Sequence, residues 1–113
     1  MIEAFSFGSM TILGKRYQKD LMIIGGSVHP DWCRREGHAV YVEDVSDILA
    51  DRPEVLVVGM GDPGRMKVAE PLREALEKAS IELVELPTAK AATEFNRLNG
   101  EGRRVAGAFH LTC

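Results

Sequence analysis

The sequence is short of the residues that announce chemistry. Its 113 residues hold two cysteines, Cys33 and Cys113, and three histidines, His29, His38 and His110. Two cysteines make no disulfide framework in a chain of this size, so both are expected as thiols. No C-x-x-C pair and no H-E-x-x-H helix occurs. His29, Cys33, His38, His110 and Cys113 match no standard zinc spacing, and neither a metal nor a cofactor is expected. No apolar run approaches the roughly 20 residues that span a bilayer, because Leu21–Ile24 and Val55–Val58 have only strand length. Membrane insertion is therefore not expected. There is no excess of positive charge either: the formal net charge is −3. A basic field for phosphate backbones is missing, as are aromatics interleaved with basic residues, which argues against nucleic-acid binding. The first residues carry Glu3 and no basic cluster, so no signal peptide is read and a cytoplasmic location is the expectation.

What is present is an ordinary globular composition, 45% hydrophobic and 27% charged. A chain this long buries roughly two-thirds of its unfolded surface, enough for one core, and a single domain over residues 1–113 is expected. Short apolar or alternating segments at 4–7, 10–13 and 20–24, separated by glycines, read as antiparallel strands. A loop rich in Gly, Pro and charge covers 25–37, and His38–Val42 reads as a strand. Asp44 is the expected N-cap of a short helix over 45–50.

The second half changes rhythm. Val55–Val58 is apolar at every position, as in a central parallel strand covered on both faces. Pro71 suits the first turn of a helix beginning near Glu70, with Leu72, Ala75, Leu76 and Ala79 on one stripe. Residues 81–86 form another strand. Thr88 is the expected N-cap of a helix through Ala92, Phe95 and Leu98, and Val105–Leu111 is a last buried strand. The fold class is thus α/β: a single domain with a mixed sheet and helices on at least one face, a β-rich N-terminal half and then β-α-β-α-β with right-handed parallel crossovers.

Gly59–Gly64 matches G-x-G-x-x-G after a strand, with Glu85 at the end of the next strand as the would-be ribose acid. The match fails on two counts. Arg65–Val68 separates the turn from its helix, and no second mononucleotide half follows. Glycines allowing a tight turn are the plainer reading. The turn still leaves the carboxyl end of a parallel strand, where α/β sheets bind ligands. Gly59, Gly61, Thr88, Lys90 and His110 are therefore the candidate ligand-binding residues, through backbone N–H groups and the Lys90 charge. Against this, the plainer readings are Thr88 as a simple cap and His110 as a hydrogen-bonded core residue. Catalysis by Cys33 or Cys113 lacks an adjacent base. Trp32, Arg34 and Arg35 share one loop and have the composition of a protein-contact hot spot; the alternative is a Trp covering the core edge beside exposed arginines.

Several phrases add up in order: Asp20–Ile24, Trp32–His38 as W-x-R-x-x-G-H, Pro53–Gly61, Leu86–Ala89, Phe95–Leu98, and Ala108–Cys113 ending H-L-T-C. Together the sequence resembles the Mth-nine-three-eight-like domain family over essentially its whole length. The resemblance implies a compact three-layer α/β fold and a short prokaryotic member. The family includes a mitochondrial complex I assembly factor, an adipogenesis-associated animal protein and many uncharacterised prokaryotic proteins, and it supplies no established catalytic residues. Met60 stands where the family's turn usually carries Thr. The leading expectation is a non-enzymatic interaction module with an unidentified protein partner or a second copy of itself. The competing one is a small-molecule or anion site, with or without enzymatic activity, at the strand ends formed by the Gly59–Gly64 turn, Thr88 and His110.

Overall fold

A computed structural model describes every residue from Met1 to Cys113. Its centre is strand β7 (Val55–Met60), in which all six residues are buried. β7 pairs in parallel with β10 (Val105–His110) on one side, from Val105↔Val55 to His110↔Met60. On the other side it pairs in parallel with β9 (Glu82–Leu86), from Val55↔Glu82 to Gly59↔Leu86. β4 (Leu21–Ile24) lies antiparallel to β10, and β5 (Ser27–His29) antiparallel to β4. The sheet order is β5-β4-β10-β7-β9.

Successive side chains on a strand point to opposite faces, and β7 shows why an unbroken apolar run was needed. Leu56, Val58 and Met60 enter one apolar layer with Ile48, Leu72 and Leu76. Val55 and Val57 enter the other with Ala91, Phe95 and Leu98. The first layer is closed by α1 (Ser46–Asp51) and α2 (Glu70–Lys78). The second is closed by α3 (Thr88–Gly100) and by the antiparallel meander β1 (Ile2–Ser6), β2 (Ser9–Ile12) and β3 (Lys15–Tyr17). The three layers and the mixed sheet agree with the class read from the sequence.

Four local readings are corrected. The strand expected over His38–Val42 shrinks to β6 (Ala39–Val40), because the Asp44 carboxylate accepts the Tyr41 N–H at 2.7 Å and turns the chain into a 3₁₀ segment, Val42–Val45. Asp44 is therefore not the cap of α1, whose N-cap position is Val45. The stretch between the glycine turn and α2 is not a plain connector: β8 (Lys67–Val68) pairs in parallel with β6, with the Lys67 N–H donating to His38 O at 2.9 Å. The loop over 25–37 holds β5, which Gly25 and Gly26, both with positive φ, join to β4 in a two-residue turn.

Phe95 of α3 meets Phe109 of β10 edge to face, centroids 5.8 Å apart, and both are fully buried. Phe95→Ala removes that contact and opens a cavity under the central strands, so a loss of about 3–5 kcal/mol is expected in urea unfolding. A loss below about 1 kcal/mol would contradict the packing described.

Candidate functional site

The carboxyl ends of β7, β9 and β10 share one edge of the sheet, and the backbone there is stitched by a threonine. The Gly61 N–H donates to Thr88 Oγ1 at 2.9 Å, and the Thr88 hydroxyl donates to His110 O at 2.5 Å. The Thr88 N–H donates to Gly61 O at 3.1 Å, and the Asp62 N–H to Thr112 O at 3.0 Å. Thr88 is fully buried and is the first residue of α3, with Pro87 at the N-cap position. Its hydroxyl bridges two strands instead of capping its own helix. That corrects the capping expectation and leaves the hydroxyl no hydrogen for an anion.

Two glycines are explained by the same crowding. A Cβ on Gly59 would stand 2.9 Å from Thr88 Oγ1 and from Phe109 Cδ1. Gly61 has φ +98°, and a Cβ there would lie 2.6 Å from Thr112 O and 2.7 Å from His110 Cδ2. These glycines let β7 and its exit turn touch α3 and β10. Gly59, Gly61, Thr88 and His110 do come together as their strand-end placement implied. Lys90, two residues further along α3, is exposed.

His110 faces an ion cluster whose central member, Asp20, has no role predicted from the sequence. Asp20, just before β4, accepts the Leu111 N–H on Oδ1 at 2.8 Å. Its Oδ2 lies 2.8 Å from Arg34 Nη1 and 2.7 Å from His110 Nδ1. Arg34 Nη2 donates to Gly37 O at 2.9 Å. Arg34 Nη2 also lies 3.2 Å from His110 Nδ1, and with the carboxylate as the nearer partner Nδ1 carries a hydrogen. His110 Nε2 and Arg34 Nε are both buried without a hydrogen-bond partner. The His38 ring meets His110 edge-on, with centroids 6.0 Å apart. Burial pushes the Asp20 carboxyl up, but the Leu111 N–H, His110 and Arg34 together hold it below the ordinary range.

The Trp32–Arg35 loop is built on this cluster. Trp32 is 7% exposed, packed among Val40, Val45 and Met60, and its indole N–H donates to Asp44 O at 2.8 Å. The Arg34 guanidinium lies 4.5 Å above the Trp32 ring, and its side chain is 6% exposed. Trp32 thus covers the core edge, as the second reading of this loop had it, while the expected exposure of Arg34 is corrected: its ion pair with Asp20 draws it inward. Arg35 alone faces out, 59% exposed, stacked 4.0 Å over the Tyr41 ring. Its N–H donates to Asp44 Oδ1 at 3.1 Å, and Tyr41 donates its hydroxyl to Glu36 at 2.7 Å. That bond to the Glu36 carboxylate raises the Tyr41 phenol above its usual range. Cys33 and Cys113 are both exposed free thiols.

A family model described as a protein of unknown function (DUF498/DUF598) matches residues 2–110. The chain belongs to that family. Among solved structures it is similar to the protein MT938, at 28% identity and TM-score 0.81, covering all of this chain and 98% of that one. It is similar to the conserved hypothetical protein PH1505 from Pyrococcus horikoshii OT3, at 27% identity and TM-score 0.85, covering all of this chain and 99% of that one. A Mth938-like domain protein from Bordetella pertussis shares the fold at 20% identity and TM-score 0.77, over 97% of this chain and 84% of that one. The Mth938-like likeness read from the sequence thus holds over nearly the whole chain.

Removing one member of a buried pair strands the other charge, so Asp20→Asn or Arg34→Met is expected to cost about 3 kcal/mol near pH 7. The folded-state pKa of Asp20 is depressed, so its contribution is complete above the unfolded value of about 3.9 and is lost as pH falls through the folded value. Urea titrations should show the gap between wild type and Asp20→Asn closing once pH drops below about 4. A gap that stays constant down to about pH 2 would refute this linkage.

Proposed function

We propose that this member of a family of unknown function is a non-enzymatic protein-interaction module, with the loop from Asp31 to Asp44 as its contact face. The observation that carries the reading is the anchoring of that loop from beneath. Arg34 is locked to Asp20 and Gly37, and Trp32 is locked into the core. What is left outside is an arginine stacked on a tyrosine and flanked by Glu36 and Glu43. Arg and Tyr are favoured anchors at interface centres, and a contact surface ordered in advance loses less entropy on binding. Trp32 then serves as the footing of the face and not as its contact. The family likeness adds a direction, because an assembly-factor-like role needs a rigid binding face and no reaction chemistry. The partner is an unidentified protein or a second copy of the chain.

Photocrosslinking in the source cell tests this, with a photoreactive side chain placed at position 43 and, as control, at position 94 on α3. A dominant protein adduct from position 43 alone is expected. Arg35→Glu should weaken that complex by about 2 kcal/mol, roughly 30-fold in Kd, with an unchanged thermal midpoint. Equal adducts from both positions, or a complex indifferent to Arg35→Glu, would remove the basis for the assignment.

A further inference from the structure

The path of the chain creates a second feature away from that loop. After β7 the chain rises to α2, whose Leu72 and Leu76 pack on the Leu56 and Val58 face of the sheet. After β9 it turns to α3, whose Phe95 and Leu98 pack on the Val55 and Val57 face. β7 and β9 are neighbouring parallel strands, so their exits part to opposite faces at the same edge. Such a divergence opens a crevice beyond the carboxyl ends of the strands, the usual ligand position in an open α/β sheet.

A groove of about 320 Å³ lies at that place. Met60 and Gly64 bound it where β7 ends, Pro87 where β9 ends, and Lys67 and Arg73 stand at its rim. Its volume falls at the lower end for small-molecule sites. Arg73 is held in place by Glu85, with Nη2 2.6 Å from the carboxylate, while Nε lies 4.0 Å from Glu70. Glu85, considered in the sequence as a ribose-binding acid, is committed to this arginine instead. Lys67 projects from β8, whose backbone is bonded to His38; its side chain is exposed and enters no ion pair with the groove's carboxylate. Arg73 is matched by Glu85 and approached by Glu70, so Lys67 is the cation of the lining left without a carboxylate, beside Met60 and Pro87.

We propose that this groove binds a small molecule bearing an oxyanion, carboxylate or phosphate, with Lys67 and Arg73 as its cationic contacts and Met60 and Pro87 against an apolar body. Glu85 acts as the positioning residue for Arg73. This is the strand-end anion chemistry expected from the sequence, moved from Thr88 and His110, whose groups bond one another, to the α2 side of the same edge. It involves no residue of the Asp31–Asp44 loop.

Amide NMR titrations of the full chain with inorganic phosphate and, separately, with butyrate test the proposal. Saturable shifts of Gly64, Lys67 and Leu86, with a Kd of about 1 mM or tighter for at least one anion, are expected. The anion that saturates identifies the ligand class. Lys67→Glu should weaken binding at least about tenfold with the thermal midpoint retained, and Lys67→Gln should weaken it less. Lys90→Glu and Arg35→Glu should leave the titration unchanged. The proposal is overturned if neither anion saturates, if Lys67→Glu binds like wild type, or if Lys90→Glu weakens binding equally.

Discussion

One carboxylate joins three distant parts of the chain. Asp20 stands at the entry to β4, accepts the backbone N–H that follows β10, and holds both His110 and Arg34. Two sheet strands and a long surface loop therefore share a single acceptor. The desolvation of that group is offset by three donors, the Leu111 N–H, Arg34 and His110. The loop has little other footing: Trp32 beneath it and Asp44 beside it, which itself receives the Arg35 N–H and the indole's bond through its carbonyl. Without Asp20, Arg34 would be a buried guanidinium over an indole with no countercharge.

The strand ends obey a related constraint, imposed by space as well as by polarity. Gly59 and Gly61 bring β7 and its exit turn against Thr88 and His110 with no side chain between them. At that distance the backbone groups must satisfy one another, and the Thr88 hydroxyl does so by accepting from one strand exit and donating to another strand. The consequence for function is a division of the sheet edge. The centre, around Thr88 and His110, is closed by its own hydrogen bonds. The α2 side, where two exits part, is open and carries cations.

The two unpartnered nitrogens, His110 Nε2 and Arg34 Nε, lie in the closed region. His38 and Gly61 cover the ring from outside.

Much of the frame was legible from local pattern. The apolar run at Val55–Val58 could only be a strand covered on both faces, and Pro71 marked the first turn of α2. Leu72 and Leu76, and Phe95 and Leu98, followed helical spacing onto their layers, because periodicity is a property of neighbours in sequence. The strand at 38–42 was read longer than β6 proves to be, and β8 was not legible at all, since it exists only by pairing with β6, 28 residues away. Nor was the fate of Trp32, Arg34 and Thr88. Their types fit a contact loop and a cap as well as they fit a core, and the choice depended on partners far along the chain. Residue pattern alone dictated the order of elements and the edge to which the strand ends would come. Which polar groups there bond one another, and which face outward, was settled by the folded chain. That choice depends on the Asp20–Arg34 and Asp20–His110 contacts, 14 and 90 residues apart, which no local pattern encodes.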